Sequence, residues 1–577
     1  MTWGDDEAVW SSGGWTLVRR RGDELADIAH EGRSVLRSVR LAVRDRDWNT
    51  LPLQVEAVSE NPGCLRLHVR VSGGPGAVEG ELVARVEGDR LEIAVDLICT
   101  AALETNRTGL VVLHPPAVSG RALGVIHPDG AEDRTRFPVG IRPHQPATDI
   151  ASLKWTSDAG EMLLHFSGDV FEMEDQRNWT DASFKTYNRP LALPFPVRLG
   201  AGERVAQTLT LERIGAVPAP APARPTTIDL RAEGVVPSLG IAASTAPDLA
   251  EAMASRPIPA ATVLVEVDLA SPAWSAALAR AQRAGLPLDV RFIVDEGRPD
   301  ALRAGIDALT GIDVRRVTAF RAAGPARHVS DADTIAALRA GIDRAGLRLP
   351  VAGGVRTHFT ELNREHHRLP SGLDGIGFAI TPLFHDVSTA QLVESVAMQR
   401  LVAQQAVGLA DGVPVDIGPI GLLPHVNAVA TTPDPRPTHA DLRDGYGPAL
   451  LPAADARQDA AQLAAWTIAS AAALTVPGVR SLTYFEEWGP RGIRNSDGTD
   501  RPVAAAIAAL AELGAYPTLT GDSPDGTTWA VGALTPAGTV LLLANLDDRS
   551  RELAVRTPHG SARARLDAFG WTRMVVR

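Results

Sequence analysis

Several classes of protein are excluded by what this sequence lacks. Its 577 residues include only two cysteines, Cys64 and Cys99, which rules out a disulfide-rich fold and a cysteine-based metal site. Both cysteines lie in apolar, strand-like stretches, and we expect two reduced thiols, with one disulfide as the alternative. No stretch reaches the roughly 18 apolar residues of a membrane span. The acidic start lacks the regions of a signal peptide, so we expect a cytoplasmic protein.

Basic residues are in deficit as well. The chain has 57 lysine and arginine residues against 69 aspartate and glutamate residues, a net charge of −12. Nucleic acids and anionic membranes bind positively charged surfaces, so we expect neither as a partner. An acidic protein is compatible with a neutral small-molecule substrate. The oligomeric state does not follow from these features.

The motifs of several enzyme classes are missing too. The sequence contains no Gly-x-Ser-x-Gly elbow, no His-Glu-x-x-His, no P-loop and no dinucleotide-binding fingerprint. These absences argue against a serine α/β-hydrolase, a zinc peptidase and a nucleotide-dependent enzyme. We therefore expect chemistry from carboxylates, histidine and arginine, with no cofactor and no bound metal.

The hydrophobic pattern divides the chain into three domains. Residues 1–216 alternate polar and apolar positions, as in 64–70, and predict an antiparallel β-sandwich. Residues 217–227 form a Pro/Ala-rich linker, because alternating prolines favour an extended backbone. Residues 228–515 alternate short apolar runs with helical segments. Residues 516–577 return to the strand pattern and predict a small β domain.

The middle domain is predicted to be a (β/α)₈ TIM barrel. Repeated strand–helix units over this length are typical of that fold, which needs ~250 residues. A doubly wound open sheet is the alternative. The candidate strands are centred near Leu239, Leu264, Phe292, Val317, Ala352, Phe378, Ile417 and Thr483.

In such barrels the active site lies at the carboxyl ends of the strands. His358, Glu361, Asn363 and Arg364 follow the fifth candidate strand. A carboxylate with such neighbours suits acid/base or nucleophilic catalysis, and Asn363 and Arg364 are predicted substrate contacts. A helix N-terminus with Thr360 as its cap is the alternative.

Two adjacent glutamates end the eighth candidate strand. Side chains alternate along a strand, so at most one of the two faces the barrel axis. Glu486 continues the pleat of Tyr484, and we predict that Glu486 is catalytic and Glu487 is not. Tyr484, Trp488 and Arg491 are predicted substrate contacts, with an ordinary salt bridge at the rim as the alternative for Arg491.

Histidines follow two further strands. His385 comes after the sixth strand and could bind a substrate oxygen or move a proton, with a structural bond to Asp386 as the alternative. His425 and Asn427 lie in the long loop after the seventh strand, which suits substrate selection. The fourth strand is not followed by Asn-Glu, which counts against an ordinary retaining glycosidase.

A dense polar segment lies outside the barrel, at residues 171–187. It carries Arg177, Asn178, Trp179 and Lys185 without helical or strand amphipathicity. We predict that the sandwich domain lends this segment to the barrel mouth as a substrate-binding element. An interdomain salt-bridge network is the alternative.

These segments resemble the D-apionate lactonase family, most specifically in the string 172–187. The resemblance implies hydrolysis of D-apionolactone to D-apionate by an enzyme of glycosidase-like architecture. The matching stretches are 43–48, 105–115, 172–187, 359–364, His385, the pair Arg457 and Gln458, 484–486, and 491–492.

We therefore predict a hydrolase that opens a sugar-acid lactone. Glu361 or Glu486 would activate the water, and the other carboxyl would protonate the leaving oxygen. His385 or Arg177 would stabilise the oxyanion. Two alternatives stay open: a retaining glycoside hydrolase that uses Glu361 and Glu486, and a carbohydrate-binding protein with an inactive barrel.

Overall fold

The computed structural model describes residues 3–73, 76–217, 227–248, 257–295, 297–432, 437–446 and 455–576. Most of the predicted linker lies outside these ranges. The three predicted kinds of secondary-structure pattern occur in the predicted order along the chain.

Two nine-stranded antiparallel sheets form the N-terminal domain. Their inner faces share one hydrophobic core, to which the first sheet contributes Trp15 and Phe171 and the second Trp155 and Phe166. The predicted alternation is real, since every second residue of Cys64–Gly73 is buried. In spatial order the first sheet contains Glu7–Ser12, Trp15–Arg20, Glu24–His30, Arg33–Asp45, Leu103–His114, Phe184–Asn188, Phe171–Asp175 and Ala147–Ile150, with Val197–Leu199 beside Leu103–His114. The second contains Glu132–Arg136, Ala122–Ile126, Ser152–Ser157, Gly160–Ser167, Arg204–Arg213, Arg90–Ala101, Gly76–Glu87, Cys64–Gly73 and Leu53–Asn61.

Eight parallel strands form the predicted barrel, and each contains or adjoins one predicted strand centre. Neighbouring strands pair in parallel around the ring, which closes between the fourth and fifth strands through a bridge from Val317 to Val351. Their side chains are almost all buried, as expected of parallel strands covered on both faces. In chain order the strands are Ser238–Ala242, Thr262–Asp268, Leu288–Val294, Val314–Arg321, Gly353–His358, Ile376–Ile380, Val415–Ile420 and Val479–Trp488, and Gly492–Arg494 pairs with the last of these.

Helices surround the barrel, and two of them begin at side-chain caps. Asp331 accepts a hydrogen bond from Thr334 N, and Ser388 accepts one from Gln391 N. The α-helices are Trp274–Gln282, Pro299–Asp307, Ala332–Arg344, Phe359–Glu365, Thr389–Leu409, Gln462–Leu474 and Val503–Ala511. Short 3₁₀ helices lie at Pro116–Val118, Gln176–Trp179, His366–Arg368 and Ala456–Asp459.

The small β domain contains strands that precede the barrel in the chain as well as strands that follow it. Thr227–Asp229 pairs with Arg551–Thr557, and Arg231–Val235 pairs with Pro517–Thr520. The first barrel strand begins at Ser238 and contains the predicted centre Leu239, while the strands between the predicted domain start at 228 and this point complete sheet edges of the small β domain. Its five-stranded sheet also contains Thr528–Thr535, Gly538–Asn545 and Trp571–Val576, and its three-stranded sheet also contains Gly560–Leu566.

Polar contacts join the N-terminal domain to the loops of the barrel. Arg37 Nε donates to Glu394 at 2.6 Å, and Arg40 Nη2 donates to Asp386 at 2.8 Å. Asp5 accepts hydrogen bonds from the first backbone N–H groups of helix Thr389–Leu409. The domain thereby covers the end of the barrel where the sixth strand terminates.

Two smaller points concern the cysteines and membranes. Cys64 is half-buried and Cys99 is buried, and both are free thiols, so the alternative of a disulfide is not realised. Among the described residues there is no helix of the length and hydropathy that crossing a bilayer requires.

Candidate active site

A cavity of about 640 Å³ opens at the carboxyl ends of the barrel strands. Its wall includes Thr245 after the first strand, Glu266 and Asp268 at the end of the second, and Arg356 in the fifth. His425, from the loop after the seventh strand, also lines it. Barrel enzymes react at this end, and the volume is that of a small-molecule site.

An ion pair crosses this cavity from the second strand to the fifth. Arg356 Nη2 lies 3.0 Å from Glu266 Oε2, and Arg356 Nε donates to both carboxylate oxygens at 3.1 and 3.2 Å. Neither residue was predicted from the sequence, because the candidates were sought in the segments after each strand and these two lie within strands. Charged residues inside otherwise apolar parallel strands are the signal that could have found them.

Glu486 lies directly behind the cavity wall. Thr245 N donates to Glu486 Oε2 at 2.9 Å, and Thr245 Oγ1 donates to the same carboxylate at 2.9 to 3.0 Å. Glu486 is only 1% exposed, and this burial raises the pKa of its carboxyl. Thr245, which lines the cavity, therefore connects this glutamate to it.

A backbone irregularity at Phe485 decides which way these side chains point. Phe485 has a φ of +50°, and the pairing with the first strand shifts register there. As a result Tyr484 and Glu486 do not share a face, contrary to the regular pleat expected of the strand. The Tyr484 hydroxyl lies 2.8 Å from Ser470 Oγ in a helix outside the barrel. The predicted substrate contact by Tyr484 is corrected accordingly, since its side chain packs between barrel and helix.

The residues next to Glu486 have separate surroundings. The carboxyl of Glu487 lies near Arg280 of the first barrel helix, and burial raises its pKa to about 7. Trp488 Nε1 donates to the Pro247 carbonyl at 3.3 Å, and Arg491 Nη2 donates to the Pro424 carbonyl at 3.1 Å. Burial lowers the pKa of Arg491, and the nearby carboxylate of Glu486 acts in the opposite direction.

The Arg457–Gln458 pair holds two loops at the rim. Arg457 Nη2 donates to the Val387 carbonyl at 2.8 Å, and Gln458 Nε2 donates to the Gly492 carbonyl at 3.1 Å. The first bond fixes the segment after the sixth strand, and the second fixes the turn that carries Arg491. This pair therefore positions the rim.

A narrow recess extends the cavity toward the fifth strand. The recess shares Arg356 and His425 with the cavity and adds Thr357 and His358. Thr357 Oγ1 donates to Glu361 Oε2 at 2.8 Å, and burial raises the pKa of Glu361 to about 7. Glu361 is thus connected to the recess through Thr357, just as Glu486 is connected to the cavity through Thr245.

The helix that carries Glu361 begins one residue after the strand. His358, and not Thr360, occupies the cap position of Phe359–Glu365, and Thr360 lies within the first turn. The alternative interpretation of a helix N-terminus is therefore confirmed, with Glu361 in the first turn, and only its choice of Thr360 as the cap is wrong. His358 Nε2 is 2.6 Å from Thr381 Oγ1, and burial lowers the pKa of His358 to about 3.

The predicted segment 172–187 lies mainly at a second, smaller space. This interdomain chamber is lined by Arg44, Arg107 and Lys185 from the N-terminal domain and by His385 and Asp386 from the loop after the sixth barrel strand. Lys185 Nζ lies 2.7 Å from Glu174 Oε2, and burial lowers the pKa of Lys185 to about 8. The segment thus forms interdomain ion pairs, as the alternative interpretation expects, and its predicted role in substrate binding stays a prediction.

His385 belongs to this chamber. Its Nδ1 is 2.5 Å from Asp181 Oδ2, and its ring contacts Trp179 edge-on, with 5.1 Å between ring centroids. Burial lowers the pKa of His385 well below its usual value and raises that of Asp181 to about 8. The partner of His385 is therefore Asp181, whereas Asp386 bonds to Arg40.

Arg364 extends this cluster from the barrel side. Its guanidinium lies 5.3 Å from the Trp179 ring centroid and 3.6 Å from Glu174 Oε1. Its Nε donates to the Pro143 carbonyl at 2.8 Å. Arg364 thus links the fifth barrel loop to the N-terminal domain.

Asn178 and Asn363 join the two domains, whereas Arg177 is bonded within the N-terminal domain. The Arg177 guanidinium bonds to Asp175 and to three backbone carbonyls, and the residue is 2% exposed. Asn363 Nδ2 donates to Asn178 Oδ1 at 2.9 Å and to the Ile141 carbonyl at 3.2 Å. The predicted oxyanion contact by Arg177 is corrected accordingly, because its donors are already bonded within the fold.

Clusters of metal-ligating side chains are absent from the part of the chain that the structure describes. It contains no group of three or more His, Cys, Asp or Glu residues placed to hold a metal ion.

The fold and the site together define a (β/α)₈-barrel enzyme with an acidic site at the carboxyl end of its strands. Two family models match the chain: D-apionate lactonase, N-terminal domain, over residues 4–216, and D-apionate lactonase, TIM barrel domain, over residues 238–515. The chain belongs to the D-apionate lactonase family. It is accordingly a lactonase, and lactonases are carboxylic ester hydrolases.

A curated relative agrees with this membership. A D-apionate lactonase from Brucella anthropi is 28% identical over 537 residues, which cover 85% of each chain. Among solved structures, a GH30 endoxylanase from Clostridium papyrosolvens is 10% identical with a TM-score of 0.39, and covers 60% of this chain and 98% of its own. A beta-arabinopyranosidase is 10% identical with a TM-score of 0.31, and covers 99% of this chain and 97% of its own.

Proposed function

We propose that this enzyme hydrolyses a sugar-acid lactone, and specifically D-apionolactone to D-apionate. The observation that carries the proposal is a pair of glutamates, the buried Glu486 and the half-buried Glu361, each bonded to a threonine of the same cavity system. Two carboxyls of raised pKa suit a reaction that needs both a base and an acid. The family membership supports the lactone as substrate and the named relative supports D-apionolactone.

Glu486 is proposed as the general base. Burial favours its neutral form, but the N–H and O–H of Thr245 donate to its oxygens, and such bonds favour the charged carboxylate. A carboxylate can take a proton from a water that attacks the lactone carbonyl. The hydrogen bonds from Thr245 fix the direction in which the remaining lone pairs point.

Glu361 is proposed as the general acid. A pKa of about 7 leaves a large fraction of this carboxyl protonated at neutral pH. The tetrahedral intermediate collapses by expelling the ring oxygen, which must gain a proton to leave as a hydroxyl. Because Glu361 is bonded to Thr357 in the recess wall, that hydroxyl is placed to relay the proton.

Arg356 is proposed to stabilise the oxyanion. It lines both the cavity and the recess, and Glu266 fixes its guanidinium plane. Preorganised cationic donors of this kind stabilise charge that develops in the transition state. The structure places five of the predicted lactone contacts at the interdomain interface. Their contact with the reacting lactone therefore stays a prediction; these residues are His385, Trp179, Lys185, Asn363 and Arg364.

Turnover assays separate this proposal from its alternatives. We expect pH-stat titration to show acid release from D-apionolactone, with slower release from other aldonolactones and no cleavage of aryl glycosides. Glycoside cleavage without lactone turnover would instead support a retaining glycosidase. Sugar binding with neither activity would support a non-catalytic protein.

Arg356→Lys is expected to lower kcat/KM about tenfold. Lysine keeps the positive charge but loses the planar fork, and a hydrogen bond to a charged group contributes about 1.5–3 kcal/mol. Steady-state kinetics on the lactone would measure the change. Arg303→Lys, an exposed arginine paired with Asp300 on a barrel helix, is the matched control and should behave as wild type. Equal kinetics in both variants would remove Arg356 from the mechanism.

A further inference from the structure

The interdomain chamber has a feature that the proposed reaction does not use. It is a small space, with room for about 30 Å³, and its wall is unusually rich in cations. Arg37 and Arg40 have carboxylate partners in Glu394 and Asp386, and Lys185 has one in Glu174. These ion pairs neutralise one part of the wall.

Two further guanidiniums of the chamber have no such partner. Within the described part of the chain, neither Arg44 nor Arg107 forms an ion pair with a carboxylate. Arg44 Nη1 donates to the Trp48 carbonyl at 2.9 Å. Arg107 is 6% exposed and lies between two rings, 3.7 Å from the centroid of Tyr187 and 5.4 Å from that of Trp48. Burial lowers the pKa of both arginines, that of Arg44 to about 10.

Three buried polar groups in the same wall are also unsatisfied. Arg107 Nε, Gln176 Nε2 and Ser183 Oγ have no hydrogen-bond partner among the described residues. All three residues line the chamber. Buried donors in folded proteins are nearly always paired, so three of them around one small space call for an acceptor. The carboxylates of Glu174, Glu172 and Asp181 lie near these two guanidiniums without forming an ion pair with either, so a negatively charged acceptor suits the space between the donors.

We infer that the interdomain chamber binds a carboxylate, held by Arg44 and Arg107 and by the donors of Gln176 and Ser183. The planar fork of arginine matches a carboxylate, and a group of this size fits the space. The carboxylate is either a free small acid or the acid end of a sugar acid.

This site is separate from the proposed catalytic cavity. His385 faces the chamber and His358 lines the recess, and the ring of Phe384 contacts both histidines and separates them. Because the chamber is separate from the cavity, anion binding can be measured without lactone turnover. Its failure would leave the proposed lactonase reaction untouched, and failure of that reaction would leave the anion site untouched.

Thermal unfolding in different sodium salts tests the inference. Acetate and D-gluconate would replace chloride at constant ionic strength. Above the dissociation constant, each tenfold rise in the free anion concentration should raise the Tm by about 1 °C, because the unfolding entropy of a chain of 577 residues is large. A response to acetate identifies any small carboxylate, and a response to gluconate alone identifies a sugar acid.

Variants of the chamber wall complete the test. Arg107→Gln should weaken carboxylate binding about 10–100-fold, because it removes a charged donor. Ser183→Ala should weaken it several-fold, and it removes a hydroxyl that makes no bond within the described residues, so it remains usable if Arg107→Gln does not fold. Arg134→Gln, an exposed arginine in the same domain, should respond as wild type. Equal Tm shifts in chloride and carboxylate, or in wild type and both chamber variants, would overturn the inference.

Discussion

Glu486→Gln is expected to lower kcat by about 10²–10⁴-fold, the usual contribution of a general base. Glutamine has nearly the same shape and can still accept the Thr245 hydrogen bonds, so the cavity should keep its form. It cannot accept the proton of the attacking water. Initial rates of acid release from the lactone, measured at saturating substrate, would show the loss as a change in kcat with KM nearly constant.

The adjacent glutamate provides a matched control for this variant. Glu487 is also buried and its pKa is also raised, but it lies near Arg280 on the helix side of the strand. Glu487→Gln should therefore keep kcat within a few-fold of wild type. If both variants lost activity equally, or neither did, the assignment of the base to Glu486 would be abandoned.

Glu361→Gln is expected to lower kcat by about 10²–10⁴-fold as well and to change its pH dependence. Burial raises the Glu361 pKa to about 7, so the carboxyl is protonated below that pH and ionised above it. As an acid it works only when protonated, so wild-type kcat should decline as the pH rises through about 7. The variant, which has no titrating group there, should lack this alkaline decline in a kcat–pH profile.

Glu365→Gln on the same helix is the control for this second prediction. Glu365 pairs with Arg368 one turn further along and does not contact Thr357. It should preserve both kcat and the alkaline decline. An unchanged pH profile in Glu361→Gln would assign the decline to another group and remove Glu361 as the acid.

The barrel was predictable because its signals are local. Buried parallel strands must be apolar on both faces, and amphipathic helices must separate them, so residues such as Phe292 and Ile417 indicate their strands without any tertiary information. The same locality placed Glu361 after the fifth strand and Glu486 at the end of the eighth. Strand ends in this fold all point to one side, which brings such residues toward a common rim.

The partners of those residues were not predictable in the same way. Glu266 and Arg356 come from the second and fifth strands, and only ring closure brings them within 3.0 Å. Arg177 looked like a substrate contact because it is charged and stands in a polar segment. Its actual partners, Asp175 and the carbonyls of residues 138–140, depend on how that segment folds back within its own domain.

What the sequence determined by itself was the order of the three domains, the eight strands and the presence of two acidic strand ends, because periodicity and strand ends are properties of neighbouring residues. What the tertiary structure alone decided was which side chains meet. The left-handed backbone at Phe485 turned Glu486 toward Thr245 and Tyr484 away from it. The docking of the sandwich on the barrel gathered Arg107, Lys185 and His385 into one chamber. Such contacts join residues far apart in the chain, and no local pattern records them.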